Sequence, residues 1–308
     1  MSFDPCRPFS RRQARAAGLS DSVLAGERFT TVFRGVHVSS AVVLTDAVRA
    51  EAALVPFAAS TFASHASAAR LHRIPIPPIP DEHVTVLDRA ARRSRTGIRC
   101  HLGADDHVVS VGGVRVSDPA RTFVELGELV GLVDLVIAGD HLVASGRCTL
   151  AALRARAAAA RGPGARAARA AARLVRERVD SPMETRLRLL LVLAGLPEPE
   201  VNPTIRDDRG EPLRRYDLYF RSSGTAVEYD GRHHIAREEQ WSADLRRREA
   251  IDGDGVRLIV VVATDIFRTP DDLLRRVHRV LIERREPGVP RRLAEGWRPH
   301  FPLRGRAA

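Results

Sequence analysis

The sequence predicts a chain of two characters: an α+β N-terminal region that begins like a winged helix, and an α/β C-terminal domain of order α-β-β-β-α-β-α. Three observations carry this. The chain has 308 residues, and at about 150 residues per domain two domains are expected. Apolar residues make up 44% and charged residues 28%, the balance of a packed globular chain. Helix and strand patterns are mixed before residue 148, whereas beyond Asp180 they follow one another as strands with intervening helices.

Taken in order, Ser10 can cap a helix over residues 11–17 that Gly18 ends. Ser20 and Asp21 can start a second through Glu27. Residues 29–38 alternate as a strand pair bent at Arg34-Gly35. Helix, turn, helix and hairpin is winged-helix order, and it assigns residues 1–40. Residues 41–148 read as an α+β middle domain. Two helices fall within 41–72, the second starting from Ser60 or Thr61, and prolines break the chain at 75–80. Strand patterns follow at 83–87, 98–101 and 108–116. Asp118-Pro119 opens a helix to about Leu126, and an apolar helix covers about 129–144. His65 and His72 are seven apart and share a helix face; spacing supplies no further ligands, so both are expected to be structural.

Residues 149–180 are dominated by Ala and Arg and read as a helical linker, broken by Gly162-Pro163-Gly164. Arg166, Arg169, Arg173 and Arg176 recur on one helical stripe. The alternatives are a solvated helix and a salt-sensitive contact to a phosphate backbone.

Residues 181–287 form the second domain. Ser181, Pro182 and Glu184 make a helix start with cap, first-turn proline and capping-box acid, and Gly195 stops the helix. Strands are expected at 200–205, 213–220 and 225–230, then a polar helix over 237–252, a buried apolar strand over 256–263 and a helix from Pro270 to about Arg284. The tail, 288–308, has no assignable pattern. If the hairpin around residues 221–224 pairs Phe220 with Thr225, Asp217 lies opposite Glu228, with Asp230 on the same side. Opposed side chains have Cβ atoms about 5 Å apart and like charges there destabilise the sheet. Such a patch calls for a protonated acid, neutralising arginines or a divalent cation. Mg²⁺ takes one or two carboxylates plus water and phosphate oxygens. His233 and His234 follow at once, and Asp244, Arg246, Arg247 and Arg248 come on the next helix. Acids for a metal, histidine for proton transfer and arginine for phosphate are what phosphodiester hydrolysis requires.

The charge fits. The 49 basic side chains against 38 acidic ones give +11, and every one of the 49 is arginine. A phosphate loop ending in Gly-Lys, a Schiff-base lysine and a kinase core are therefore excluded. Arginine binds phosphate in a bidentate fork, and an excess of positive charge suits nucleic acid; a codon bias toward Ala, Arg, Val and Leu would produce the same excess. Cys6, Cys100 and Cys148 are scattered, which excludes a disulfide framework or a cysteine zinc module and fits the reduced cytoplasm. No apolar run approaches the roughly 20 residues of a membrane span, and the first residues do not resemble a signal peptide.

Two resemblances sharpen these expectations. Residues 7–145 resemble AbiEi-type antitoxin proteins, through Phe9-Ser10-x-x-Gln13, Phe33-Arg34-Gly35-Val36, Ser64-His65-x-Ser67-Ala68-Ala69-x-Leu71-His72 and Asp118-Pro119-Ala120-Arg121-Thr122. That implies a winged helix joined to a mixed α+β domain. Residues 180–284 resemble the PD-(D/E)XK nuclease superfamily, and within it the very-short-patch-repair-like endonuclease domains. The carrying residues are Glu184, Asp217, Glu228-Tyr229-Asp230-Gly231, His234 and Asp244-x-x-Arg247. The third-strand motif ends in Asp230 where the superfamily has lysine, and arginine stays protonated; the very-short-patch group uses histidine. The resemblance implies a restriction-endonuclease-like fold and a metal-dependent DNA endonuclease. Asp217 and Glu228 would hold Mg²⁺ or Mn²⁺, Glu184 and Asp230 would assist, and His234 would relay a proton. Arg247 and Arg248 would hold phosphate, with Arg166, Arg169 and Arg173 as further DNA contacts. DNA is the expected partner, with a homodimer or a toxin-system partner also open. The alternatives are a non-catalytic DNA-binding regulator of antitoxin type and an RNA-directed nuclease.

Overall fold

The computed structural model describes residues 3–206, 209–231 and 255–301. The chain divides into two compact units, Met1–Leu174 and Val175–Ala308. Both mix helices and sheets.

The first unit opens with β1 (Phe9–Ser10), α1 (Arg11–Ala16), α2 (Asp21–Leu24), β2 (Phe29–Phe33) and β3 (Val36–Ser39). Ser10 caps α1 in a full capping box: its Oγ accepts the Gln13 N–H and the Gln13 side chain accepts the Ser10 N–H. The strands form a sheet of order β1-β3-β2, so the expected helix–helix–hairpin order is present with one short strand ahead of it. Phe9, Ala14 and Leu24 form its small core.

There follow α3 (Asp46–Leu54), β4 (Phe62–Ala63), α4 (His65–Leu71), β5 (Glu82–Val86), β6 (Ile98–Leu102), β7 (Val108–Val111), β8 (Val114–Ser117), α5 (Pro119–Leu126) and α6 (Leu132–Ala144). The five strands make one mixed sheet, β6-β5-β4-β8-β7, in which β5/β6 and β4/β8 run parallel. Three expectations change here. Ser60 and Thr61 do not start a helix, because Phe62 and Ala63, both fully buried, form the central strand and Ser64 becomes the N-cap of α4. The single strand expected over 108–116 is a hairpin turned on Gly112-Gly113. The apolar helix begins at Leu132.

The Ala/Arg stretch is packed structure rather than linker up to Leu174. α7 (Leu150–Ala159) and α8 (Ala165–Leu174) lie against α5 and α6 of the same unit. Ala165, Ala168, Ala171 and Ala172 are buried; small side chains let the helices approach closely, so a weakly apolar face suffices. The approach reaches the backbone at Gly164 (φ +75°), where a Cβ would lie 2.5 Å from the Val124 carbonyl oxygen. Gly164→Ala is expected to cost about 1–2 kcal/mol for the left-handed backbone alone, and more for the contact. A denaturant melt of the full chain followed by far-UV circular dichroism checks this.

The second unit comprises α9 (Pro182–Leu193), β9 (Glu200–Val201), β10 (Thr204–Arg206), β11 (Pro212–Arg215), β12 (Leu218–Phe220), β13 (Thr225–Tyr229), β14 (Arg257–Val261), α10 (Ala263–Phe267) and α11 (Pro270–Glu283). The main sheet is β14-β13-β12-β9, antiparallel except for the parallel β13/β14 pair. α9 packs on β13 and α11. Two expected strands, 200–205 and 213–220, are each broken at matching points. Asn202 takes φ +48° and Pro203 has no N–H to continue a ladder, while opposite them the chain bends at Tyr216-Asp217. The outer pieces leave as a separate ribbon, β10-β11. The helix α10 was not anticipated. The described part of the tail belongs to this unit: Trp297 and Phe301 are buried, and the Ala294 N–H donates to the Ala194 carbonyl at 2.8 Å. The polar helix expected over 237–252 lies outside the described residues. No described helix is long and apolar enough to cross a membrane.

Candidate functional site

The β12–β13 hairpin has the expected register: Phe220 pairs with Thr225, Tyr219 with Ala226 and Leu218 with Val227. The observed pairing ends at Leu218 and Val227, where β12 begins, and Asp217 lies in the bend just before it. The Asp217 carboxylate accepts the Tyr229 N–H on Oδ2 at 2.8 Å. The Asp217 carbonyl accepts the Asn202 N–H at 2.9 Å. Asp230 closes the strand by donating its N–H to the Val261 carbonyl at 2.8 Å. Glu228 and Asp230 are half-buried.

Beside them Tyr216 and Tyr219 stack with ring centroids 5.3 Å apart and pack on Ala226. Burial raises the Tyr216 phenol above its ordinary range; Arg214 opposes this, and Tyr219 and the Glu228 carboxylate add to it. The phenol therefore stays protonated at neutral pH.

Glu184 reaches the same corner from α9. It is 8% exposed, and its Oε2 accepts from Asn202 Nδ2 at 2.6 Å and from the Asp180 N–H at 3.0 Å. Ser181 Oγ accepts the Glu184 N–H at 3.2 Å, so the cap is as expected, while the acid reaches one residue further back than a capping box requires. Asn202 thus ties Glu184 by its side chain and Asp217 by its backbone. The sequence reading missed Asn202; the signal was Asn-Pro directly after a short strand, since asparagine tolerates left-handed φ. It also missed Arg188, one turn beyond Glu184 and fully buried, which donates to Glu198 Oε1 at 3.0 Å.

The remaining expected residues divide. His234, Arg247 and Arg248, with His233, Asp244 and Arg246, lie outside the described residues. On α8, Arg166 and Arg173 are exposed. Arg169, on the same helix, is half-buried and donates to the Ala160 carbonyl at 2.9 Å, satisfying the end of α7. Arg176 falls beyond α8 and pairs with Glu198 at 2.6 Å. His72 is buried as expected, with Nε2 2.7 Å from the Ser117 carbonyl.

Asp217 and Glu228 carry oxygen donors only, the type that a hard divalent cation such as Mg²⁺ or Mn²⁺ takes. No family model matches the sequence. The chain is 28% identical over 207 residues to the uncharacterized proteins MT2308 and Rv2248 of two Mycobacterium tuberculosis strains, covering 67% of this chain and 76% of each of them.

Proposed function

We propose that this protein is a metal-dependent DNA endonuclease, with the second unit hydrolysing phosphodiester bonds and the N-terminal region binding DNA or a protein partner through a winged-helix-like start. The observation that supports the reading is the hairpin register, Phe220 with Thr225 through Leu218 with Val227, which leaves Asp217 beside the Glu228-Tyr229 end of β13, where its carboxylate accepts the Tyr229 N–H. The strand order supports it: an antiparallel meander β9-β12-β13 followed by β14 parallel to β13, with α9 against the sheet, agrees with a restriction-endonuclease-like core.

In this reading Asp217 and Glu228 hold Mg²⁺ or Mn²⁺, and the cation, when bound, neutralises charge developing on the scissile phosphate. The Tyr229 N–H fixes the direction of the Asp217 carboxylate. Glu184 and Asn202 fix the strand break from which Asp217 projects, so Glu184 is a positioning residue. Asp230 stands at the end of the same strand. The proton acceptor, His234, and the phosphate-holding Arg247 and Arg248 rest on the sequence alone. The net charge of +11 supports DNA as the substrate, and Arg166 and Arg173 offer backbone contacts. A cytoplasmic protein, acting alone, as a homodimer or with a toxin-system partner, fits the composition.

A second reading, a non-catalytic DNA-binding regulator of antitoxin type, is favoured by one observation: the carboxylates of Asp217 and Glu184 both serve local hydrogen bonds. Plasmid, duplex, single-stranded DNA and RNA offered with Mg²⁺ or Mn²⁺ separate the two. Cleavage of DNA that EDTA abolishes and that Glu228→Gln lacks is the expected result. Salt-dependent DNA retention with no cleavage of any substrate supports the regulator, and cleavage of RNA alone redirects the substrate.

A further inference from the structure

The first unit holds a second constellation, unrelated to the hairpin acids. A cleft of about 530 Å³ is lined by residues of β5, β6, α5 and α7, and by the first residue of α4. That residue is His65. His83 lies on β5 and His101 on β6; the parallel register pairs His101 with Thr85, two residues along from His83, so both imidazoles stand on one sheet face. The central strand β4 leads directly into α4 and delivers His65 to the same place.

One ring nitrogen from each of the three histidines lies within 4.8 Å of the others. His83 Nδ1 is 3.0 Å from His101 Nε2, and the His65 ring stacks on His101 with centroids 3.6 Å apart. His65 Nε2 is 3.5 Å from Glu128 Oε1. His65 and His83 are 3% and 2% exposed, and His101 is half-buried at the edge of the cleft.

The surroundings hold His65 in place. It carries a left-handed φ of +49°, a conformation that costs free energy outside glycine and gathers at functional sites. Its N–H is anchored on Glu125 Oε2 at 2.9 Å, and its Nδ1 lies 3.0 Å from Ser64 Oγ, which in turn accepts from Thr85 Oγ1 at 2.8 Å. A ligating histidine whose other nitrogen is fixed by an outer partner is the usual arrangement in metal sites. With Nδ1 so engaged, Nε2 is the nitrogen turned toward Glu128.

We propose that His65, His83 and His101, with Glu128 as an oxygen donor, form a site for one borderline divalent transition metal, Zn²⁺ or its analogues Co²⁺ and Ni²⁺. Imidazole nitrogens suit these ions and not Mg²⁺ or Ca²⁺, which take oxygen. Three imidazoles and one carboxylate or water are the four-coordinate donor set that zinc accepts.

The test uses the full chain, stripped with a chelator and titrated with Zn²⁺ and then Co²⁺ by calorimetry and visible absorption. One equivalent of Zn²⁺ per chain, a Co²⁺ spectrum of a low-coordinate nitrogen site and no competition from millimolar Mg²⁺ are expected. His101→Ala, at the cleft edge, and His83→Asn should each weaken binding by more than the roughly 10–100-fold that loss of an outer partner costs. Glu228→Gln should bind Zn²⁺ like the wild type, which keeps this site separate from the hairpin. No stoichiometric Zn²⁺ on the wild-type chain, or undiminished binding by both histidine variants, overturns the proposal. Should a variant fail to fold by circular dichroism, the wild-type stoichiometry and Co²⁺ spectrum still decide.

Discussion

Glu82→Ala is expected to destabilise the first unit by about 3–5 kcal/mol, the cost of removing one partner from a buried ionic network. Glu82 opens β5, an interior strand, and is 1% exposed. Its carboxylate accepts from Ser67 Oγ at 2.5 Å and stands 2.8 Å from Arg70 Nη2 and 3.3 Å from Arg49 Nε. Without it, Arg70, at 20% side-chain exposure, is left with the more distant, exposed Asp46 carboxylate at 3.9 Å, and the Ser67 hydroxyl loses its acceptor while still accepting the His83 N–H at 2.7 Å. Arg70 keeps the Ile79 and Asp81 carbonyls, which points to the lower half of the range. Glu82→Gln retains volume and an acceptor and should recover part of the loss. The measurement must follow the right unit. Both tryptophans and all three tyrosines lie beyond residue 215, so intrinsic fluorescence reports the second unit only. Amide hydrogen exchange over residues 46–126 reads the first directly, and equal protection in Glu82→Ala and wild type would refute the expectation.

What could be read from the sequence was local. The hairpin register followed from the length of the loop at 221–224 and the apolar runs flanking it. The Asp118 and Ser10 caps followed from single side chains reaching their own helix. What could not be read was set by neighbours in space. Phe62-Ala63 is too short to show a strand period, and only its central place between β5 and β8 makes it one. The Ala/Arg stretch reads as a linker because the partners of the alanine face of α8, which are α5, α6 and α7, are set by the fold and not by the sequence around it. The strand break at Asn202 depends on a bend across from it, at Tyr216-Asp217. His65, His83 and His101 lie on three elements in three separate segments; spacing along the chain carries no trace of a cluster that the order β6-β5-β4 assembles. His65 therefore read as a structural residue on a helix face with His72, which in fact points to the Ser117 carbonyl.

Asp217→Asn is the variant that separates chemistry from folding at the hairpin. The Asp217 carboxylate has two duties in the proposed enzyme, to accept the Tyr229 N–H and to hold a cation opposite Glu228. Alanine removes both, and orphaning the N–H costs about 1–3 kcal/mol, so lost activity in Asp217→Ala could reflect a loosened strand. Asparagine keeps an acceptor oxygen for the N–H and removes only the charge. If the acids grip a cation during catalysis, Asp217→Asn should lose roughly 10²–10³-fold in cleavage rate, the scale for deleting one preorganised charge-stabilising group, with the fold intact. The thermal midpoint gives an independent reading, because opposed carboxylates repel. Without metal, Asp217→Asn should melt at or slightly above the wild-type temperature. With Mg²⁺ at a hundred times its dissociation constant, the wild-type second unit should gain about 2.7 kcal/mol by mass action, and the variant far less. The fluorescence of Tyr216, Tyr219 and Trp297 follows that unit. A variant that cleaves as fast as the wild type, or that Mg²⁺ stabilises equally, would show that Asp217 serves only the backbone of β13, and the hairpin would then be a structural corner without a cation.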